Sequence, residues 1–190
     1  LQRSERGTFR DFTRYHVGGN VVFTNRSRLG ARLESTLDVG IDEAFQDGAI
    51  LFYDLTPSGN RGTRLRTHKR EGANNFGVFV QEELVLDGRF GLSVGARFDD
   101  ITYFNDDNMA PALNDQKSFR GVTPKLGVNW RVSPNRSVYA SVGGGVEAPA
   151  GNETDPVSTF GQDTVTALNP LLEPIRSTTV ELGTKAVVTL

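Results

Sequence analysis

The chain has no cysteine, two histidines, one methionine and one tryptophan among its 190 residues. Without thiols there is no disulfide framework, no thiolate metal site and no cysteine nucleophile. His16 and His68 are too few to build a histidine-based metal cluster. An excess of one charge is lacking too. Lys plus Arg (21) and Asp plus Glu (23) leave a net charge of -2, with no bias toward nucleic acid or anionic lipid. No run approaches 18 apolar residues, which excludes a transmembrane helix. It does not exclude a transmembrane strand, which needs only about ten residues with every second one facing lipid. The opening Leu1-Gln2-Arg3-Ser4-Glu5-Arg6 is not a signal peptide. A length of 190 would by itself fit one domain or two small ones, but 37% hydrophobic residues argue against a large core.

What is abundant is glycine, 21 residues or about 11% against a usual value of roughly 7%, and a period of two. Leu29, Ala31, Leu33, Ser35, Leu37, Val39 and Ile41 alternate with Gly30, Arg32, Glu34, Thr36, Asp38, Gly40 and Asp42. That is a long strand with one dry and one wet face. A helix would scatter Arg32, Glu34, Asp38 and Asp42 around its surface and leave no apolar stripe. The pattern recurs in Phe90–Asp99, Lys125–Val132, Ser137–Val146 and Val180–Val188. Glu82 falls in the apolar register of Phe76, Val78, Val80, Leu84 and Leu86, marking either a rim position or a break in register. Gly18-Gly19 weakens the first strand.

Seven strands follow, near 10–24, 28–45, 68–86, 89–104, 118–131, 137–148 and 177–190. Short turns near 25–27, 87–89 and 132–136 alternate with long polar loops at 46–74, 105–117 and 148–176. A meander puts all short turns at one end and all long loops at the other, the asymmetry of outer-membrane barrels. The expected fold is all-β, an antiparallel meander of long strands forming part of a transmembrane β-barrel. Seven is odd, where bacterial single-chain barrels have even counts, and the last strand runs to Leu190 without a cap. The chain is therefore expected to be one partial barrel domain, residues 1–190. Apolar rows would face lipid, and the polar rows, holding Arg97, Lys125, Arg131, Glu181 and Lys185, would face a wet lumen. Phe90, Tyr103, Phe104 and Trp130 lie near strand ends, as an interfacial girdle requires.

The segment Ser118-Phe119-Arg120-Gly121-Val122-Thr123-Pro124-Lys125-Leu126-Gly127-Val128-Asn129-Trp130 is followed by a turn and Ser137-Val138-Tyr139-Ala140-Ser141-Val142, ending in Glu147-Ala148-Pro149. This hairpin resembles the mid-barrel hairpin of TonB-dependent outer-membrane receptors. After a long loop, Asn169-Pro170-Leu171-Leu172-Glu173-Pro174 and the run to Lys185 resemble the family's next strand; Phe76–Tyr103 resembles the preceding pair more loosely. Pro174-Ile175 stands where Pro-Glu is usual, and Val142–Val146 replaces a serine-rich aromatic block. The resemblance implies a multi-pass barrel in the outer membrane of a Gram-negative bacterium. It also implies a plug domain, absent from this sequence, and an energised TonB partner for a barrel of about 22 strands. The implied ligand is a small molecule, most commonly a ferric siderophore.

Other features have a functional and a bland reading. Gly143-Gly144-Gly145 lies within a strand and lacks the helix and lysine of a phosphate loop, so relief of crowding is the expected role. Glu82 and Glu83 are adjacent in a strand and point to opposite faces, so they cannot act together as acid and base. Asn105, Asp106, Asp107, Asn108, Asn152, Glu153 and Asp155 sit in long loops, where ligand contact is expected. Their spacing fits no calcium loop, and a solvated acidic surface is the plainer account. Arg61, Arg64, Arg66, His68, Lys69 and Arg70 make 46–74 basic, suited to an anionic ferric chelate or to lipopolysaccharide phosphates. Arg97, Lys125, Arg131, Glu181 and Lys185 would contact the plug or simply solvate the lumen. No nucleophile–base pair, metal site or cofactor motif emerges, so an enzyme is not expected. A porin-like or adhesin-like barrel and a soluble β-rich binding module are the alternatives.

Overall fold

The computed structural model describes residues 2–5, 7–149, 168 and 172–187. They form one antiparallel sheet whose spatial order follows the chain. A short β1 (Gln2–Glu5) precedes seven longer strands: β2 (Thr8–Leu29), β3 (Leu33–Leu55), β4 (Arg61–Leu86), β5 (Phe90–Asp107), β6 (Asp115–Ser133), β7 (Arg136–Glu147) and β8 (Ile175–Ala186). The meander is as expected, and β2 to β6 are longer than expected. Segment 46–74 is not a loop. β3 and β4 continue through it in register up to Phe52↔Thr67, and the connection shrinks to residues 56–60. Its polar composition misled because above the apolar band both faces of a strand can be wet.

The other connections shift in the same way. The first short turn lies at 30–32 rather than 25–27, since Asn25, Arg26 and Ser27 pair with Leu37, Thr36 and Ser35. Gly30 supplies the positive φ that a tight turn needs. At 87–89 the turn falls where expected, with positive φ at both Asp87 and Gly88, the Asp-Gly pattern of a twist-matched hairpin. The 132–136 turn narrows to residues 134–135, and the 105–117 loop narrows to 108–114 with a single 3-10 turn at Pro111–Leu113. The 148–176 connection lies largely outside the described residues; β8 starts at Ile175, two residues before its expected start. Gly18 does not break β2, since a side chain there would come within 2.6 Å of the Glu43 carbonyl on the adjoining strand.

Cross-strand partners share a face, so register assigns every side chain. One row runs Leu29, Leu33, Leu86, Phe90, Trp130 and Val138. Four rows further on lies Val21, Ile41, Val78, Phe98 and Val122. The next row runs Glu43, Phe76, Asp100 and Arg120, and there charged residues end the apolar band. The band is thus nine residues long, 90 to 98 on β5. At roughly 3.3 Å per residue and a 45° tilt it would stand about 21 Å tall, close to the lipid-facing band of about 25 Å in membrane barrels. Phe90 and Trp130 stack at its lower margin, with centroids 5.8 Å apart. Phe45 and Phe104 stack beyond its upper margin at 6.0 Å. Tyr103 does not join them; it lies on the polar face, edge-on to Phe119.

Burial fits a sheet and not a globule. Among the described residues the buried apolar side chains are Ile50, Phe119 and Leu168 alone. The accessible area is 13019 Å², against about 8,900 Å² for a compact monomer of this mass. Val17, Val21, Phe23, Trp130, Val180 and Leu182 are all exposed. Register also settles Glu82. It sits in the apolar band between Leu37 and Val94 with no break nearby, accepting a 2.6 Å hydrogen bond from the Ser35 hydroxyl.

Candidate functional site

The polar face is built by alternate residues of every strand. At the level where the apolar band ends, Asp42, Gly77 and Asp99 stand in one row. Arg97 leans across Gly77 and donates to both oxygens of Asp42 at 2.8 Å, and its Nε donates to Asp99 at 2.7 Å. Gly77 is required for this, because a Cβ there would run into the guanidinium. Next to it the Phe79 ring covers Gly40 in the same manner. A guanidinium stays protonated, so Arg97 does no acid–base work here; it ties Asp42 of β3 to Asp99 of β5 across β4. Its effect is to fix the wall.

Register puts the five expected lumen residues on this one face. Lys125 lies between Gly95 and Gly143, Arg131 opposite Ser137, Glu181 opposite Ser141, and Lys185 opposite Ser137. Their surroundings differ. Arg97 is tied to Asp42 and Asp99. Glu181 accepts a 2.6 Å hydrogen bond from the Tyr139 hydroxyl, and the Lys185 ammonium lies 5.4 Å from the Tyr139 ring centroid. The glycine run Gly143-Gly144-Gly145 does relieve crowding. The β6–β7 ladder ends at Lys125↔Gly143, one residue from Pro124, which has no N–H to donate. A side chain at Gly144 would come within 2.9 Å of the Pro124 ring.

Beyond the band the polar face changes character. The Arg10 guanidinium sits 4.8 Å from the Phe52 ring centroid, and Phe12 meets Phe52 edge-on at 6.1 Å. On the other side Lys117 approaches Phe119 at 5.5 Å, and Tyr103 donates to the Pro149 carbonyl at 3.0 Å. Of the expected loop residues, Asn105, Asp106 and Asp107 end β5 instead. Asn105 is buried, with its amide nitrogen on the Leu113 carbonyl at 3.2 Å. The Asp107 carboxylate accepts from the N–H groups of Met109 and Ala110 at 2.8 and 2.9 Å, closing the connection on itself. The Asn108 N–H donates to the His68 carbonyl. These side chains shape the connection. Asn152, Glu153 and Asp155 lie outside the described residues.

One site on the apolar side was not foreseen. Asp47, six residues past Ile41 and thus above the band, is 1% exposed. It accepts from the Tyr15 hydroxyl at 2.7 Å and from the Arg70 guanidinium. The hydrogen bond from Arg70 holds its carboxyl below the usual carboxylate range despite burial. The same carboxylate raises the Tyr15 phenol by taking its proton in a hydrogen bond. Tyr15, Asp47 and Arg70 are far apart in sequence, and only the strand register unites them. Parity counting could have found Asp42 with Arg97; nothing short of the register reveals the Tyr15–Asp47–Arg70 group.

A continuous antiparallel meander with a nine-residue apolar band on one face and a polar face opposite defines a membrane-barrel wall. The family model described as TonB dependent receptor-like, beta-barrel, matches residues 2–189. This chain belongs to that family. The structure is similar to the ferric citrate transporter FecA in its unliganded form, with TM-score 0.72 and 14% identity, covering 97% of this chain and 27% of that one. It is also similar to the Ferric-Catecholate import receptor Fiu from K12 E. coli (TM-score 0.68, 15% identity, 94% and 29% covered). A third similar structure is the siderophore receptor PiuA from Acinetobacter baumannii (TM-score 0.66, 17% identity, 93% and 29% covered). At these identities the likeness is one of fold. The chain spans less than a third of the length of each. No curated protein matches the sequence at a significant level.

Proposed function

We propose that this chain is part of the barrel wall of an outer-membrane receptor in a Gram-negative bacterium. In this reading the receptor binds a scarce ligand, a ferric siderophore, and admits it when TonB pulls on a plug domain. The observation that carries the reading is the division of one sheet into a nine-residue apolar band and a polar face, with strands overrunning the band at the long-connection end alone. Transport by binding and gating needs no covalent chemistry. The cationic and aromatic groups beyond the band, Arg10 with Phe12 and Phe52 and Lys117 with Phe119, suit an anionic chelate with a flat or aromatic ligand shell. Outward-facing Arg120 and Arg70, each beside a carboxylate, sit where lipopolysaccharide headgroups would meet the wall.

The test is a titration of ferric chelates on the full-length receptor, folded in detergent, with and without residues 108–114 and 150–171. Loss of either connection is expected to weaken binding at least tenfold. Unchanged affinity would remove the connections from the site. A folded receptor that binds no ferric chelate, or that supports iron uptake equally in cells lacking TonB, would overturn the reading.

A further inference from the structure

The apolar face is not smooth at the short-turn end. Between its side chains lies a groove of about 610 Å³ that crosses from β3 to β8, lined by Leu33, Leu86, Phe90, Trp130, Val138 and Leu182 among others. No charged residue lines it among the described residues. Asn129 and Tyr139 contribute, yet register turns their side chains to the polar face, where Glu181 holds the Tyr139 hydroxyl. What they present to the groove is main chain. Ala140, between Val128 and Leu182 on the neighbouring strands, is the smallest apolar side chain of the lining and leaves its middle open.

A cation stands at the foot of this groove. Arg136 opens β7 two residues before Val138, so it shares the apolar face, and it is exposed. Its cross-strand neighbours, Ser133 and Ala186, carry no charge. It forms no salt bridge, side-chain hydrogen bond or ring contact among the described residues. Other arginines beside the short turns are placed differently. Arg28 pairs with Glu34 and Arg32 with Asp87, while Arg89 and Arg131 line the polar face. Next to Arg136, opposite Val138, Trp130 stacks on Phe90 and its indole N–H has no partner among the described residues. A guanidinium and an indole N–H are donors that an anionic oxygen cluster such as a phosphate satisfies, and both side chains favour the level of lipid headgroups.

We propose that this groove is a binding site for a glycerophospholipid of the leaflet at the short-turn end, with an acyl chain along the groove and the phosphate held by Arg136 and Trp130. The proposal rests on the reading above, in which the apolar face meets lipid, and adds a selectivity to it. The band as a whole meets hydrocarbon without preference, whereas this place favours a lipid that carries a phosphate. A polypeptide partner is disfavoured because the lining offers it no free side-chain hydrogen-bonding group besides the Trp130 indole. Lipopolysaccharide belongs to the opposite end, beside Arg70 and Arg120.

The test uses the full-length receptor in lipid nanodiscs doped with a phosphatidylglycerol probe that carries a photoreactive diazirine in one acyl chain. A diacylglycerol with the same chains and no phosphate is the comparison. After irradiation, adducts are mapped by mass spectrometry. The phospholipid probe is expected to label residues 84–92 and 128–140 at least threefold more than the diacylglycerol does, with no such preference elsewhere on the band. Arg136→Gln should abolish the preference and Arg136→Lys should keep most of it. Ala140→Phe, which fills the groove and leaves Arg136 in place, should lower labelling by the phospholipid at least twofold. Equal labelling by the two probes would overturn the site, as would a preference indifferent to either Arg136→Gln or Ala140→Phe. Ferric-chelate binding on the same samples separates the two ideas. A receptor that binds chelate but shows no phosphate preference sinks the site alone, and one that shows the preference but binds no chelate sinks the receptor reading.

Discussion

Asp47 shows how a single side chain can be costly and well tolerated at once. A carboxylate at 1% exposure would lose several kcal/mol of hydration if left alone. Here Tyr15 and Arg70 both donate to it, and the pairing with Arg70 holds the carboxyl below its ordinary value of 3.8. The sign of the pH effect follows. A depressed folded-state pKa contributes stability that is complete above the unfolded pKa of about 3.9 and is lost as pH falls through the folded value. The difference in urea midpoint between the wild-type receptor and Asp47→Asn is expected to be constant above about pH 5 and to shrink below about pH 4. A difference that stays the same down to pH 2 would show that Asp47 is not held as an ion. Residues of this kind are the least legible in sequence. Asp42 and Arg97 at least fall on polar positions of recognisable strands, whereas Asp47 lies in a stretch whose polarity resembled a loop.

Strands are where period two carried most of the information. Within the apolar band, alternation marked the long strands, and the register puts Arg97, Lys125, Arg131, Glu181 and Lys185 together on the face opposite the apolar rows. Above the band it failed, because β3 and β4 run on with Glu43, Asp47 and Arg70 where a lipid-facing row would be apolar. Backbone pairing persists there without the hydrophobic signature that reveals it. Within the band, Glu82 is the odd residue, neighboured by Asn25, Ser27 and Ser35 in its own and the adjoining row. A carboxylate on a lipid-facing row is unfavourable, by less than the roughly 2–4 kcal/mol measured for Arg or Lys at mid-depth. Replacing Glu82 by Leu should therefore raise unfolding stability in lipid vesicles by about 1 kcal/mol, the lost Ser35 bond offsetting part of the gain. A decrease would mean that Glu82 faces a polar partner in the assembled receptor.

At the scale of the whole chain, area rather than composition decides the class. The excess of 13019 Å² over the compact expectation of about 8,900 Å² is that of a single sheet with both faces open, one of them apolar. Expressed without lipid or detergent, the chain is expected to associate, because β2 beyond its short pairing with β1, and β8 at the other edge, keep unpaired backbone groups and carry exposed Val17, Val21, Phe23, Val180 and Leu182. Sedimentation of a folded monomer in plain buffer would contradict the membrane reading. The strands also end at unequal heights. β2, β3 and β4 stay paired as far as Thr8, Asp54 and Arg61, some thirteen residues past the band, whereas β7 and β8 stop at Glu147 and Ile175, close to its margin. At roughly 45° that step is about 30 Å. Among the described residues the paired strands therefore rise like a ramp from β8 to β2. A bulky visitor lying against the polar face would meet the tall flank, with Arg10 and Phe52, as a backstop.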